Sequence, residues 1–338
     1  MKAVGYRQSL PITEADSLID VELPDPEPLG RDLLVQVKAI SVNPVDTKIR
    51  KRSAPRDGEG VKVLGWDAAG IVLKTGPDAQ LFKPGDAVWY AGSIDRPGSN
   101  SEVQLVDERI VGKKPISLGF AEAAAMPLTT ITAWELLFER FGVMPGKYPT
   151  EESLLIIGAA GGVGSILTQL ARRLTNMTVI GTASRKETAD WVLSHGAHYV
   201  IDHSQPLPDE LRRIGISHLS HVASLTQTPL HYPEIVELLA PQGKFALIDD
   251  LGQSDIGLLR RKSISLYWEY MFTRPVYATL DMVAQHRLLC EMADLVDDGV
   301  IRTTLGEHFG RINADNLKRA HELIESGKTK GKIVLEGF

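Results

Sequence analysis

The chain has 338 residues, 43% of them hydrophobic and 24% charged, with a formal net charge of -6. At roughly 150 residues per domain this length fits about two domains, each able to bury its own core. The acidic balance gives a polyanion nothing to bind, which argues against nucleic acid as a partner, and the apolar runs are too short to span a bilayer.

The N-terminal stretch MKAVGYRQSL lacks the apolar core of a signal peptide, because Gly5, Tyr6, Arg7 and Gln8 interrupt it, so a cytoplasmic location is expected. Up to about residue 120, short β-type runs (LLVQVKAISV, AAGIVLKTG, DAVWYAG, SEVQLVD) alternate with the turn signals GPD, KPGD and RPGSN. That spacing predicts an all-β, barrel-like domain. RKRSAPRDGEG, Arg50–Gly60, reads as a solvated charged loop, with a substrate-entrance lid as the other reading. SLGFAEAAAMPLTTITAWELLFERFGV then switches to a helical period, broken near Met126–Pro127 because proline has no N–H to donate.

From Glu152 strands and helices alternate. LLIIG, TVIGTA, HYVI, HVASL and KFALI are strand candidates, with a sixth in SISLYW. Helices are expected at 162–174, 186–195, 207–214 and 233–239, which together predict a doubly wound parallel sheet. Two amphipathic helices, MVAQHRLLCEMADLVDDG and NADNLKRAHELIESG, and a final strand GKIVLEG complete the chain. The single cysteine, Cys290, falls on the apolar face of the first of these helices and reads as a buried structural thiol.

Within LLIIGAAGGVGSILTQLARRL, the spacing Ala159-x-Gly161-x-x-Gly164 is a dinucleotide fingerprint with alanine in the first glycine place. Small residues let the backbone approach a pyrophosphate, Gly164 permits close helix–strand packing, and the helix N-terminus offers free N–H groups. An NAD site usually carries a carboxylate about 20 residues further on, at the end of the second strand. This chain instead has Ser184, Arg185 and Lys186 there. A hydroxyl and two cations suit a ribose 2′-phosphate, so NADPH is the expected cofactor. Ser184 also reads as the N-cap of the following helix.

GWDAAGIV (65–72), KPGDAVW (83–89), NPVDTKIR (43–50) and MPLTTITAWELL (126–137) precede GAAGGVG. With these motifs the chain resembles the medium-chain dehydrogenase/reductase superfamily, specifically its zinc-free quinone oxidoreductase branch. The resemblance runs essentially end to end. It implies an α/β protein with a GroES-like β-barrel catalytic domain, 1–125 with 270–338, and a Rossmann NADP-binding domain, 126–269.

Zinc-dependent members of this superfamily carry a Cys in the region matching SVNPVD, a Gly-His-Glu matching Gly65-Trp66-Asp67, and another Cys near PLTT. Here Asn43 or a neighbour, Trp66, and Leu128 or Thr129 occupy those places, and AGSIDRPGSNSEVQ has none of the cysteines of a structural zinc lobe. Trp66 cannot ligate a metal and no thiol is at hand. Without a Lewis acid, the expected acceptor is one that takes hydride directly: a quinone or another α,β-unsaturated carbonyl.

By resemblance, Asn43 lies beside the nicotinamide and Thr130 contacts its ribose or phosphate. Ala160, Gly161, Gly162 and Val163 hold the pyrophosphate, Gly164 belongs to the same cofactor-binding turn, and Leu247 and Ile248 pass the nicotinamide ring. Lys332 is a further candidate anion contact. Many relatives carry Tyr where this chain has Lys48, which either donates a proton or is a surface or Asp46-paired lysine. Trp66, Tyr267, Trp268 and Tyr270 read either as a stacking wall for a planar acceptor or as core and interface packing. The SISLYWEY region implies a homodimer through an edge strand. The alternatives are an enoyl-thioester reductase and a non-catalytic NADPH-binding sensor or scaffold.

Overall fold

The computed structural model describes residues 1–55, 58 and 60–338. Arg56, Asp57 and Glu59, within the stretch read as loop or lid, lie outside the described residues. The chain divides into two compact units, Met1–Ile131 with Phe272–Phe338, and Thr132–Met271.

In the first unit β1 (Lys2–Tyr6), β2 (Ile19–Glu22) and β4 (Lys62–Val63) form a three-stranded sheet in the order β2-β1-β4. The larger sheet is built on the eleven-residue β3 (Asp32–Val42), which is followed by helix α1 (Pro44–Arg52). β5 (Ala68–Thr75), β6 (Ala87–Tyr90), β7 (Val103–Asp107) and β8 (Val111–Lys113) join it, and helices α2 (Phe120–Ala124) and α3 (Pro127–Trp134) follow. The break between α2 and α3 falls where Pro127 predicted it.

The second unit holds strands β9 (Ser153–Ile157), β10 (Thr178–Thr182), β11 (Tyr199–Ile201), β12 (Leu219–Ser224), β13 (Leu239–Leu247) and β14 (Ser265–Trp268). They form one parallel sheet in the order β11-β10-β9-β12-β13-β14, the doubly wound pattern. Every residue of β9 is buried, as a central strand covered on both faces requires. Four helices connect the strands: α4 (Gly162–Leu174), α5 (Lys186–Ser194), α6 (Leu207–Arg213) and α7 (Thr228–Leu238). α7 starts five residues ahead of the expected Pro233, because the Thr228 backbone N–H and hydroxyl both donate to Asp249 and fix the helix start there. Leu155, Ile157, Ile180, Val222, Phe245 and Leu247 lie at the heart of this unit's core.

The chain then returns to the first unit through α8 (Thr273–Tyr277), α9 (Ala284–Asp297), β15 (Leu305–His308), α10 (Ala314–Glu325) and β16 (Lys332–Glu336). β16 pairs antiparallel with β3, Ile333 opposite Val42, completing the order β15-β16-β3-β5-β6-β8 with β7 also on β3. This register fixes the site: one step beyond the Ile333–Val42 pair, Lys332 reaches Asn43.

Candidate active site

The glycine turn of the second unit separates packing needs from ligand needs. A Cβ on Gly164 would meet the Ala159 Cα and the Gly158 carbonyl oxygen at 2.5 Å, so only glycine lets α4 seat against the turn. A Cβ on Gly161 would touch nothing nearer than the Gly158 carbonyl oxygen at 3.4 Å. The protein's own packing does not demand glycine at 161, so its small size leaves room for a group outside. Gly161, Gly162 and Val163 are partly exposed at the N-terminus of the thirteen-residue α4. The Gly161 N–H is taken by the Gly158 carbonyl at 3.1 Å, and the first N–H groups of α4 beyond it, with the helix dipole, suit a pyrophosphate. Ala160 and Gly164 are buried beneath them. Ser165 donates its hydroxyl to the Gly161 carbonyl at 2.7 Å and accepts from the Trp191 indole of α5 at 2.8 Å, tying two helices to the turn.

Ser184, Arg185 and Lys186 are exposed just past β10. Arg185 is the N-cap of α5 and its side chain makes no capping hydrogen bond; Ser184 stands one residue too early for the capping role read from sequence. Lys186 pairs with Asp190 at 2.6 Å along the exposed side of α5. Leu247 ends β13 fully buried, and Ile248 beyond it is half-buried. Nearby in this unit Glu269 donates its backbone N–H to the Leu247 carbonyl at 2.9 Å. Its side chain takes the Arg140 Nε at 2.9 Å, while burial and the neighbouring Glu135 push its carboxyl up to about 9.

In the first unit the charged groups converge. Asn43 is the N-cap of α1, yet its side chain is not spent on the helix. Asp46 does that work, accepting the Asn43 backbone N–H at 2.6 Å. The Asn43 amide nitrogen donates to Asp67 Oδ2 at 2.9 Å, and its oxygen accepts from the Lys332 ammonium. Asp67 Oδ2 also accepts from Lys332 Nζ at 2.8 Å and from the Ser41 hydroxyl at 2.9 Å, while Oδ1 takes the Leu128 backbone N–H at 2.8 Å. All these side chains are at least nine-tenths buried. Burial pushes the Asp46 carboxyl up to about 7, against the Asn43 and Gly65 amides and the Lys332 charge, which pull it down. Two residues after Leu128 lies Thr130, fully buried in the first turn of α3, its hydroxyl oxygen without a partner among the described residues. An orphaned buried hydroxyl fits a residue that bonds a ligand.

The structure thus joins Asn43 to Lys332 and leaves Lys48 out: Lys48 is exposed on α1, and Asp46 beneath it is committed to the Asn43 backbone. Trp66 is 1% exposed, donates its indole N–H to the Ser93 carbonyl at 2.9 Å and meets Phe272 edge-on, which makes it core. Trp268 and Tyr270 are exposed at and just beyond the end of β14, and Tyr267 packs on Phe141. Cys290 is half-buried rather than buried, with Sγ 3.9 Å from both ring nitrogens of His286. Ser41 escaped the sequence reading, while Asp46 appeared there only as a partner for Lys48 and Asp67 only as the acidic place in Gly65-Trp66-Asp67. Among the described residues no group of three or more His, Cys, Asp or Glu side chains is arranged to hold a metal, and no helix is long and apolar enough to cross a membrane.

Residues 30–134 match the alcohol dehydrogenase GroES-like domain family, and 195–335 the zinc-binding dehydrogenase family. A zinc-type alcohol dehydrogenase-like protein of Staphylococcus epidermidis is 38% identical over 339 residues, 99% of each chain. A Rhizobium etli crystal structure, provisionally described as a zinc-dependent alcohol dehydrogenase protein, is 56% identical with a TM-score of 0.95, covering 100% of this chain and 98% of that one. Escherichia coli quinone oxidoreductase, crystallised with NADPH, superimposes with a TM-score of 0.85 at 26% identity over 99% of this chain and 100% of its own. The chain belongs to the medium-chain dehydrogenase/reductase superfamily, with its GroES-like domain and parallel-sheet Rossmann domain, and is an oxidoreductase of that type.

Proposed function

We propose that this oxidoreductase is an NADPH-dependent, zinc-free reductase of quinones or other α,β-unsaturated carbonyls. The observation that carries the reading is the Asp67 cluster. Where zinc members have His and Glu, this chain has a buried indole already bonded to Ser93 and a carboxylate already answered by four donors. That donor set holds an ammonium, not a metal.

NADPH, when bound, supplies the hydride. The amides of Ala160 to Gly164 hold its pyrophosphate, and Ser184, Arg185 and Lys186 take the 2′-phosphate. Asn43 and Thr130 orient the nicotinamide end, and Leu247 and Ile248 flank the ring. A conjugated acceptor that took this hydride at its β-carbon would carry the displaced electron pair as an enolate, which a proton from solvent would complete. The NADPH complex of the E. coli relative supports the cofactor. The free edge of β14, with Trp268 and Tyr270 exposed, supports pairing with a second copy.

Steady-state oxidation of NADPH in EDTA tests this, with a benzoquinone, an enone, an enoyl thioester and a simple aldehyde as acceptors. Turnover of quinone or enone without aldehyde turnover is expected. Oxidation with none of the four, or activity that EDTA abolishes, overturns the reading; a thioester preferred over both would reassign the acceptor.

A further inference from the structure

Asparagine side chains present an oxygen and a nitrogen of nearly the same shape, so a buried asparagine needs its surroundings to choose between two flip states. At Asn43 the choice is made by charge. An ionised Asp67 can only accept, and the Lys332 ammonium can only donate. Asp67 Oδ2 therefore takes the Asn43 nitrogen at 2.9 Å, and Lys332, itself 2.8 Å from the same carboxylate oxygen, takes the Asn43 oxygen. The other oxygen of Asp67 holds the Leu128 N–H at 2.8 Å, two residues ahead of Thr130. One carboxylate thus joins β3, the N-terminus of α1, the N-terminus of α3 and β16.

We infer that Asp67 is the positioning residue of this site: it locks Asn43 in one flip state and anchors the α3 turn that carries Thr130. The inference rests on the proposed reading, in which Asn43 and Thr130 meet the nicotinamide end of NADPH. Replacing the carboxylate by an amide removes the asymmetry, because residue 67 then offers both a donor and an acceptor. It also leaves Lys332 without its counter-charge.

The test reads the Asn43 side-chain amide by NMR, identified by its absence in Asn43→Ala, together with binding and turnover. In the wild type this amide exchanges slowly with solvent. Asp67→Asn speeds its exchange and lowers kcat for NADPH oxidation about tenfold to a hundredfold, while 2′,5′-ADP, which probes the turn end alone, binds within about twofold of wild type. Asp67→Asn/Lys332→Met removes the unpaired charge and covers the case in which the single variant fails to fold. If the double variant regains slow exchange and the turnover of Lys332→Met alone, Asp67 merely balances charge and the inference fails. Slow exchange that survives Asp67→Asn overturns it as well. A wild type that turns over no acceptor, yet shows a slow Asn43 amide that Asp67→Asn releases, removes the proposed function and leaves the positioning role standing.

Discussion

The glycine turn and the Asp67 cluster treat polar groups in opposite ways. In the turn, Gly162 and Val163 open a partly exposed helix N-terminus, whose first N–H groups have no acceptor within the helix. In the cluster, one buried carboxylate takes four donors and a buried ammonium takes two acceptors. The first arrangement is an incomplete shell that an anion completes. The second is already closed, which is what holding an amide in one orientation requires. On the proposed reading, binding and orientation are separate tasks assigned to separate pieces of chain.

The difference also explains what could be read from the amino acids. The turn is local: strand, small residues and helix follow one another, so β9, α4 and the role of Gly164 were legible, and α4 was expected at its observed bounds. The cluster is assembled from residues 41, 43, 67, 128 and 332: the antiparallel β16–β3 and β3–β5 registers bring 41, 43, 67 and 332 together, and the first turn of α3 adds 128. Asn43 and Lys332 were each singled out, but nothing along the chain joined them to Asp67. Short strands such as β4 were missed for a related reason. Its two residues are strand only because β1 pairs with them.

Substitutions that attack each region should separate the two tasks. The largest effect belongs to Gly164→Val, whose side chain cannot fit against Ala159. Urea unfolding should show a loss of about 3 kcal/mol, and NADPH binding should disappear. Next comes Arg185→Asp, which places a carboxylate where a 2′-phosphate is expected. Titration should show NADPH weakened about tenfold to a hundredfold, the range of a lost charge-assisted bond, with NADH hardly changed. An equal loss of both nucleotides would remove Arg185 from selection.

Asp46→Asn probes the buried cluster through pH. A folded-state value near 7 lies above the ordinary 3.8, so the native state holds this proton longer than the unfolded chain does. The stability this contributes is complete below about pH 3.8 and is lost as pH rises through about 7. Thermal unfolding from pH 4 to 8 should fall less steeply in Asp46→Asn than in the wild type; identical slopes would mean that Asp46 titrates normally. The smallest change is Trp191→Phe, which deletes the bond to Ser165 behind the turn. It should cost about 1 kcal/mol of stability and shift NADPH affinity less than Arg185→Asp does. A larger shift would make the α4–α5 tie, rather than the cations, the determinant of binding.

The proposed function rests first on which nucleotide the turn prefers. Fluorescence titration of the wild-type protein with NADPH and NADH under identical salt decides that preference. NADPH should bind at least about tenfold more tightly, the worth of one charge-assisted contact to the 2′-phosphate. Equal affinities, or tighter NADH, would contradict it.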